Sequence, residues 1–305
     1  MLASIPCRLA IVSLLSAVTL VVLGKARPPD GQFDSGLSRD KFWLVKLRAD
    51  AAYDAVLAGD SRTLSDLDPA SMSAALSSRV LNFGFNVAAL TPAYIDAAAS
   101  KLDPKSPNRR LVIGVTPRSF TPVNAKLSGY VEENDRSVDE KFFNWHLNAL
   151  NEMFRPASLP LLILRLRGVQ VGYTDHMPNG WMPVSLRPHS ATAQVAVYNR
   201  IFVDNQVSSS IEEAFLQKIL ELSRSGIRVI GVRLPVAAAL LDAENRMSGF
   251  DQAAFIRRFE AAGGHWMPSP AGNFIITDGS HIDAADAPQY SSLLAAEIRD
   301  AERTK

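Results

Sequence analysis

The stretch that most constrains the fold is Arg110–Thr116, RLVIGVT, a short and unbroken apolar run. It does not alternate polar with apolar residues, so it reads as a strand covered on both faces. That is the condition of a parallel sheet enclosed by helices. The segments around it alternate in the same sense. Asp54–Ala58 (DAVLA) is a strand candidate, followed by a helix over Asp68–Arg79, with Asp68 as cap and Pro69 in the first turn. Val80–Phe85 (VLNFGF) is a second strand, and Thr91–Leu102 a second helix that also opens on a cap and a proline. Beyond the middle of the chain the pattern resumes. Ser210–Ser225 is an amphipathic helix with Ile211, Phe215, Ile219 and Leu222 on one face, closed by Gly226. Ile227–Leu234 (IRVIGVRL) is a strand, Phe250–Ala262 a helix ended by two glycines, His265–Met267 a short strand and Ala284–Ala301 a final helix. Strands alternating with helices in this way predict an α/β fold with a mostly parallel central sheet and helices on both sides.

The 305 residues, 47% of them hydrophobic, suffice for one large domain, expected over residues 39–305. Its middle, at about 124–210, breaks the pattern and reads as an insertion. A helix is expected over Val138–Phe154 and a further apolar piece over Leu159–Leu166. The segment Gly172–Ser190 (GYTDHMPNGWMPVSLRPHS) has no periodicity, but Tyr173 and Trp181 argue against disorder. It is expected to lie over one end of the sheet.

Ahead of the domain, Leu9–Leu23 (LAIVSLLSAVTLVVL) is fifteen residues without a charge, with Arg8 before it and Lys25 and Arg27 after it. A membrane-spanning helix needs roughly 20 apolar residues and a secretory apolar region about 7 to 15. Residues 1–24 are therefore expected to be a signal-anchor or a signal peptide, with an ordinary buried helix as the bland alternative. Residues 25–38, rich in Pro, Gly, Asp and Ser, are expected to form a linker. Either export reading places the domain in the periplasm or outside the cell, held at the membrane if the segment is retained. The single cysteine, Cys7, allows no intrachain disulfide, which fits the bacterial envelope. A net charge of +1 gives no electrostatic case for nucleic acid. No His/Cys/Glu spacing suits a metal and no glycine loop suits a phosphate, so neither metal nor cofactor is expected.

Ligands of doubly wound sheets bind beyond the carboxyl ends of the strands. There the sequence places Gly59-Asp60-Ser61-Arg62 after the first strand, and Thr116-Pro117-Arg118-Ser119 after the third. Close to the last helix it places Asp278-Gly279-Ser280-His281. Serine becomes a nucleophile when a base takes its proton, and histidine held by a carboxylate is the usual base. Ser61 can supply the hydroxyl, and Asp278 with His281 the other two groups. The bland readings are that Ser61 caps a helix, that Asp278-Gly279-Ser280 is an ordinary turn, and that Asp283 caps the last helix.

Together, the Gly-Asp-Ser block and the late Asp-x-x-His resemble the SGNH/GDSL hydrolase superfamily, over the chain from about Asp54 to the end apart from the insertion. In layout the chain is similar to the exported or membrane-anchored bacterial subgroup. The resemblance implies a flavodoxin-like three-layer α/β/α sandwich. It also implies a serine esterase or O-acyltransferase acting on acyl esters of envelope or extracellular carbohydrate, with envelope polysaccharide-modification partners. It assigns Ser61 as nucleophile, His281 as base and Asp278 as the group that orients it. VLNFGFNVAAL resembles the second family block, which donates a backbone N–H to the oxyanion; there the chain has Val87 in place of a glycine. The third block, Gly-x-Asn-Asp, is replaced by GVTPRSF, so the asparagine donor is absent. Gly84, Asn86 and Arg118 are the candidates for oxyanion or substrate contacts. A second expectation follows from the departures: a catalytically weak relative that binds carbohydrate or serves in envelope assembly. Arg62 is weighed as a contact to an anionic or sugar substrate against a salt bridge to Asp60 or a neighbouring helix, and Arg233, at the strand end VRLP, is weighed as a site residue. Trp181 and His176 are weighed as lid residues against a small core under the insertion.

Overall fold

The computed structural model describes residues 5–25, 37–147, 163–164, 167–169 and 172–303. Five parallel strands form the central sheet: β1 (Ala55–Gly59), β2 (Val80–Asn82), β3 (Arg110–Gly114), β6 (Arg228–Val232) and β7 (His265–Met267). Their order across the sheet is β2-β1-β3-β6-β7, with Val56 paired to Leu81 on one side and to Leu111 on the other. This is the flavodoxin-like order, and the winding reverses between β1 and β3. A ligand crevice is expected at that reversal, outside the carboxyl ends of the two strands. A two-stranded antiparallel ribbon, β4 (Tyr173–Thr174) and β5 (Val184–Ser185), belongs to the insertion.

Alternate residues of the buried strands feed two cores. Val56, Ala58, Leu111, Ile113 and Val229 face Phe42 and Trp43 of α2 (Arg39–Arg48) and Tyr94 and Ile95 of α5 (Pro92–Ala99). The same layer takes Phe215 and Ile219 of α10 (Ser209–Arg224) and Phe255 and Phe259 of α12 (Gln252–Ala261). On the other face Ala55, Leu57, Val112, Ile230 and Val232 pack on α4 (Pro69–Leu76) and α13 (Ala287–Arg303). Every residue of β1 and β3 is buried, as the unbroken apolar runs require. A third cluster, Tyr198, Phe202 and Leu240, joins α9 (Val195–Ile201) to α11 (Ala238–Met247), two helices the periodicity did not reveal.

The expected strand Val80–Phe85 ends at Asn82, and the helix expected from Ala284 starts at Ala287. Of the helix expected over Val138–Phe154, α8 (Val138–His146) is seen; the rest, most of Leu159–Leu166, and most of the linker lie outside the described residues. α6 (Pro122–Lys126) and α7 (Gly129–Asn134) precede it. The segment 172–190 meets the end of β2, the Asn82 amide donating to Asn179 O at 3.0 Å, and is packed down there. Trp181 is buried, its indole N–H donates to Ser65 O (2.7 Å), and the Met182 amide donates to Leu64 O (3.0 Å). It is therefore built into the second core and holds α3 (Ser61–Asp66) from behind. His176 packs edge-on to Phe42, with ring centroids 5.0 Å apart.

The N-terminal apolar run forms α1 (Ile5–Lys25), with Leu9, Val12, Leu14 and Val18 exposed. Among the described residues no helix is long and apolar enough to cross a membrane.

Candidate functional site

β1 hands the chain to α3 through a single tight turn. Gly59 has φ +151°, and a Cβ there meets Thr63 Oγ1 at 2.1 Å and Gly114 O at 2.8 Å. Only glycine lets the turn close against the end of β3. Asp60 is the cap of α3, its Oδ1 accepting from the Arg62 amide at 3.1 Å. Ser61 is thus the first helical residue rather than the cap, and its hydroxyl is not used to start the helix. The second oxygen of Asp60 accepts from Thr116 Oγ1 at 2.7 Å, which ties the turn after β1 to the turn after β3.

The Asp278–His281 loop arrives from the other end of the chain. Asp278 Oδ1 accepts from the amides of Ser280 (2.8 Å) and His281 (2.9 Å), a local turn that an aspartate favours. Its Oδ2 lies 2.9 Å from His281 Nδ1, and His281 Nε2 lies 2.9 Å from Ser61 Oγ. One segment thus carries both the imidazole and its carboxylate, and presents the imidazole to the hydroxyl. Burial pushes the Asp278 carboxyl up, but the His281 hydrogen bond and charge, with the two amides, outweigh it and hold it at about 2. It therefore stays ionised, as the partner of a proton-accepting imidazole must.

Two contacts hold the loop to α3 and one ties it to α9. The Ile282 amide donates to Asp66 Oδ1 (3.0 Å), Arg62 Nε donates to Ser280 Oγ (3.2 Å), and Ser280 Oγ also lies 3.4 Å from Tyr198 OH. Arg62 is fully buried and pairs not with Asp60 but with Glu244 of α11, the neighbouring-helix alternative. Glu244 is shared with Arg233, whose NH2 is 2.8 Å away. Both arginines thus hold Glu244 in one buried ion-pair network. The Asp283 side chain does not cap α13, which starts at Ala287; its Oδ1 accepts from the Ala285 amide at 3.1 Å. Its Oδ2 gathers Ser185 Oγ (2.7 Å), Arg187 NH1 (2.8 Å) and His189 Nε2 (3.1 Å), fastening the insertion to the loop.

The oxyanion side is less regular. The Gly84 amide donates to Asn82 Oδ1 at 2.9 Å, and a Cβ at Gly84 meets Leu64 N at 2.7 Å. Gly84 is a spacer between β2 and α3, and its N–H is not available to an oxyanion, contrary to the expectation for it. The Phe85 amide is spent on Gly59 O (3.1 Å). Among the described residues the amides of Ser61, Asn86 and Val87 have no hydrogen-bond partner. Val87 has φ +54°, the left-handed conformation that suits glycine and strains a β-branched residue. Arg118, in the short 3-10 turn Pro117–Phe120, donates from Nε to Asn124 Oδ1 at 3.2 Å.

Sequence reasoning passed over Thr116 and Lys46. Thr116 was noticed only as a residue at a strand end; its bond to Asp60 has no sequence signature. Lys46 is fully buried and donates to Gly84 O and Gly180 O, with its ammonium nitrogen 4.8, 5.3 and 5.0 Å from the ring centres of Phe42, Trp43 and Phe85. Burial lowers its pKa well below the usual lysine value. The only hint in the sequence is a lysine inside the apolar FWLVKL.

No family model and no curated protein sequence matches the chain. Among solved structures it is similar to Est24, a carbohydrate acetylesterase from Sinorhizobium meliloti, at 9% identity and a TM-score of 0.38, covering 82% of this chain and 98% of that one. A second carbohydrate acetylesterase family member from Sinorhizobium meliloti matches at 14% identity and a TM-score of 0.33, over 81% and 98% of the two chains. An aryl esterase of M. smegmatis matches at 10% identity and a TM-score of 0.34, over 81% and 99%. These likenesses are too distant to bear on function. The fold class follows from the parallel sheet and its order.

Proposed function

We propose that the protein is an exported SGNH-like serine esterase or O-acyltransferase acting on acyl esters, acetyl foremost, of envelope or extracellular carbohydrate. The observation that carries this reading is the unbroken chain Ser61 Oγ–His281 Nε2 and His281 Nδ1–Asp278 Oδ2, each link 2.9 Å, at the carboxyl end of β1. In this reading His281 takes the Ser61 proton as Oγ attacks the ester carbonyl. Asp278 fixes the imidazole with its Nδ1–H toward the carboxylate and supports the imidazolium. The developing oxyanion is met by the Ser61 amide and by the unpartnered amides of Asn86 and Val87. Collapse expels the alcohol, protonated by His281, and leaves an acyl-serine. Water then gives an esterase; a sugar hydroxyl gives a transferase. The charge-free N-terminal run and its exposed apolar side chains support export, with the domain outside the cytoplasm.

A second reading, a weak enzyme that binds carbohydrate in an envelope assembly, is favoured by one observation. Thr116 stands where the family asparagine would be, and its hydroxyl is bound to Asp60. Loss of one oxyanion donor can cost about 10²–10³ in rate. Hydrolysis of an aryl acetate by the purified protein decides between the two. Turnover abolished by Ser61→Ala supports the enzyme. Background rates in both proteins support the binding role. Added neutral sugar acceptors that raise acetyl transfer above hydrolysis identify a transferase.

A further inference from the structure

Most of the buried and half-buried arginines are held by a carboxylate, although half-buried Arg109 donates to Ser225 O instead. Arg62 and Arg233 hold Glu244, Arg110 holds Glu302, Arg136 holds Glu133 and Arg187 holds Asp283. Arg118, half-buried, has no carboxylate partner among the described residues. Its position is nevertheless fixed from two sides. Asn124, itself 1% exposed, takes the Nε hydrogen, and the Tyr198 ring lies 5.8 Å from the guanidinium carbon. That leaves the two terminal nitrogens, the fork that matches a carboxylate, without a counter-ion.

The placement relates this fork to the site. Arg118 lies two residues beyond Thr116, which bonds the Asp60 next to Ser61. On its other side, Tyr198 reaches Ser280 Oγ at 3.4 Å, and Ser280 adjoins His281. Arg118 therefore flanks the crevice between β1 and β3, one ring away from the loop that carries the base. The nearby acids are already committed: Glu244 to Arg62 and Arg233, Asp60 to Thr116 and the Arg62 amide, Asp278 to His281. The two terminal nitrogens therefore remain open to an anion entering the crevice, which they can grip as a fork.

We propose that Arg118 is a specificity residue for a carboxylate-bearing substrate, so that the natural ester sits on an acidic rather than a neutral sugar or other alcohol. The proposal rests on the reading of Ser61 as the reacting group only for the position of the ester; the anion site itself does not require turnover.

The test uses 3- and 4-acetoxybenzoate, each against its neutral acetoxybenzamide. Binding is followed by ligand NMR titration to the Ser61→Ala protein, and turnover in the wild type. The carboxylate is expected to be preferred by about tenfold or more in at least one isomer, the size of a charge-assisted bond. Arg118→Gln brings that ratio to about one. Arg118→Lys, which keeps the charge but not the fork, retains part of it. Arg200→Gln, on the exposed side of α9, keeps the wild-type ratio. No carboxylate preference in Ser61→Ala with either isomer, or a preference that survives Arg118→Gln, overturns the proposal. Carboxylate binding that needs Arg118 in a protein without turnover upholds the anion site and defeats the enzyme reading instead.

Discussion

Replacing Arg62 by Met tests the joint between the two halves of the site. The Arg62 and Glu244 side chains are both 0% exposed, and Arg62 also supplies the hydrogen bond to Ser280 Oγ. Breaking a buried ion pair by removing one partner costs about 3–5 kcal/mol, because the other charge is left uncompensated. Arg233 remains 2.8 Å from Glu244 and keeps the cost at the lower end. The lost bond to Ser280 adds about 1 kcal/mol. The expected total is about 4 kcal/mol, a shift of about 8–16 °C in midpoint for a large domain. Urea unfolding of the purified protein measures it, with Glu244→Gln and the double variant completing a cycle. With the charge at position 244 removed, the double variant is expected to recover more than half of the loss. A cost below about 1 kcal/mol, or strictly additive variants, refutes the reasoning that Arg62 is held by a desolvated charge rather than by packing.

Val87→Gly relieves a β-branched residue at φ +54° and is expected to raise stability by about 1 kcal/mol, read as a urea midpoint; a lower midpoint contradicts the strain. Asp278→Asn leaves a neutral partner that admits the wrong imidazole tautomer, and aryl acetate turnover is expected to fall by about 10⁴-fold. The Asp278 carboxyl, ordinarily near 3.8, is held at about 2 in the fold, so its contribution to stability is complete above about pH 4 and is lost as pH falls toward 2. Acid unfolding of Asp278→Asn should lack that component. His176 is lowered to about 4 by burial, with Arg39 and Lys46 adding to it. The folded state therefore disfavours the proton that the unfolded chain accepts, and stability is expected to decline from about pH 6.5 to pH 4. Urea midpoints across that window should be flatter in His176→Gln.

The strands, the helices after them and the Ser61, Asp278 and His281 positions were legible because each has a local cause. Unbroken apolar runs encode buried strands, proline and its cap encode helix starts, and an aspartate three residues before a histidine encodes a turn that closes on itself. What was not legible depends on contacts between distant segments. α9 and α11 are amphipathic only toward each other, through Tyr198, Phe202 and Leu240. Trp181 looked like a lid because nothing near it in sequence shows that Ser65 O would accept its N–H. Gly84 looked like an oxyanion donor until the Asn82 side chain, two residues back, was seen to take its amide. Thr116 and Arg118 lie in the part of the chain where the resemblance fails, and there only the three-dimensional neighbours, Asp60 and Tyr198, give the residues a role.

The most direct test of the central claim is covalent. A serine-directed alkyl phosphonate is incubated with the full-length protein, and the adduct is mapped by peptide mass spectrometry. The account predicts one adduct per chain, on Ser61. It should be absent in Ser61→Ala and strongly slowed in His281→Ala, with the circular dichroism of both variants unchanged. A folded wild-type protein that takes up no phosphonate, or takes it up at another residue, contradicts Ser61 as the nucleophile.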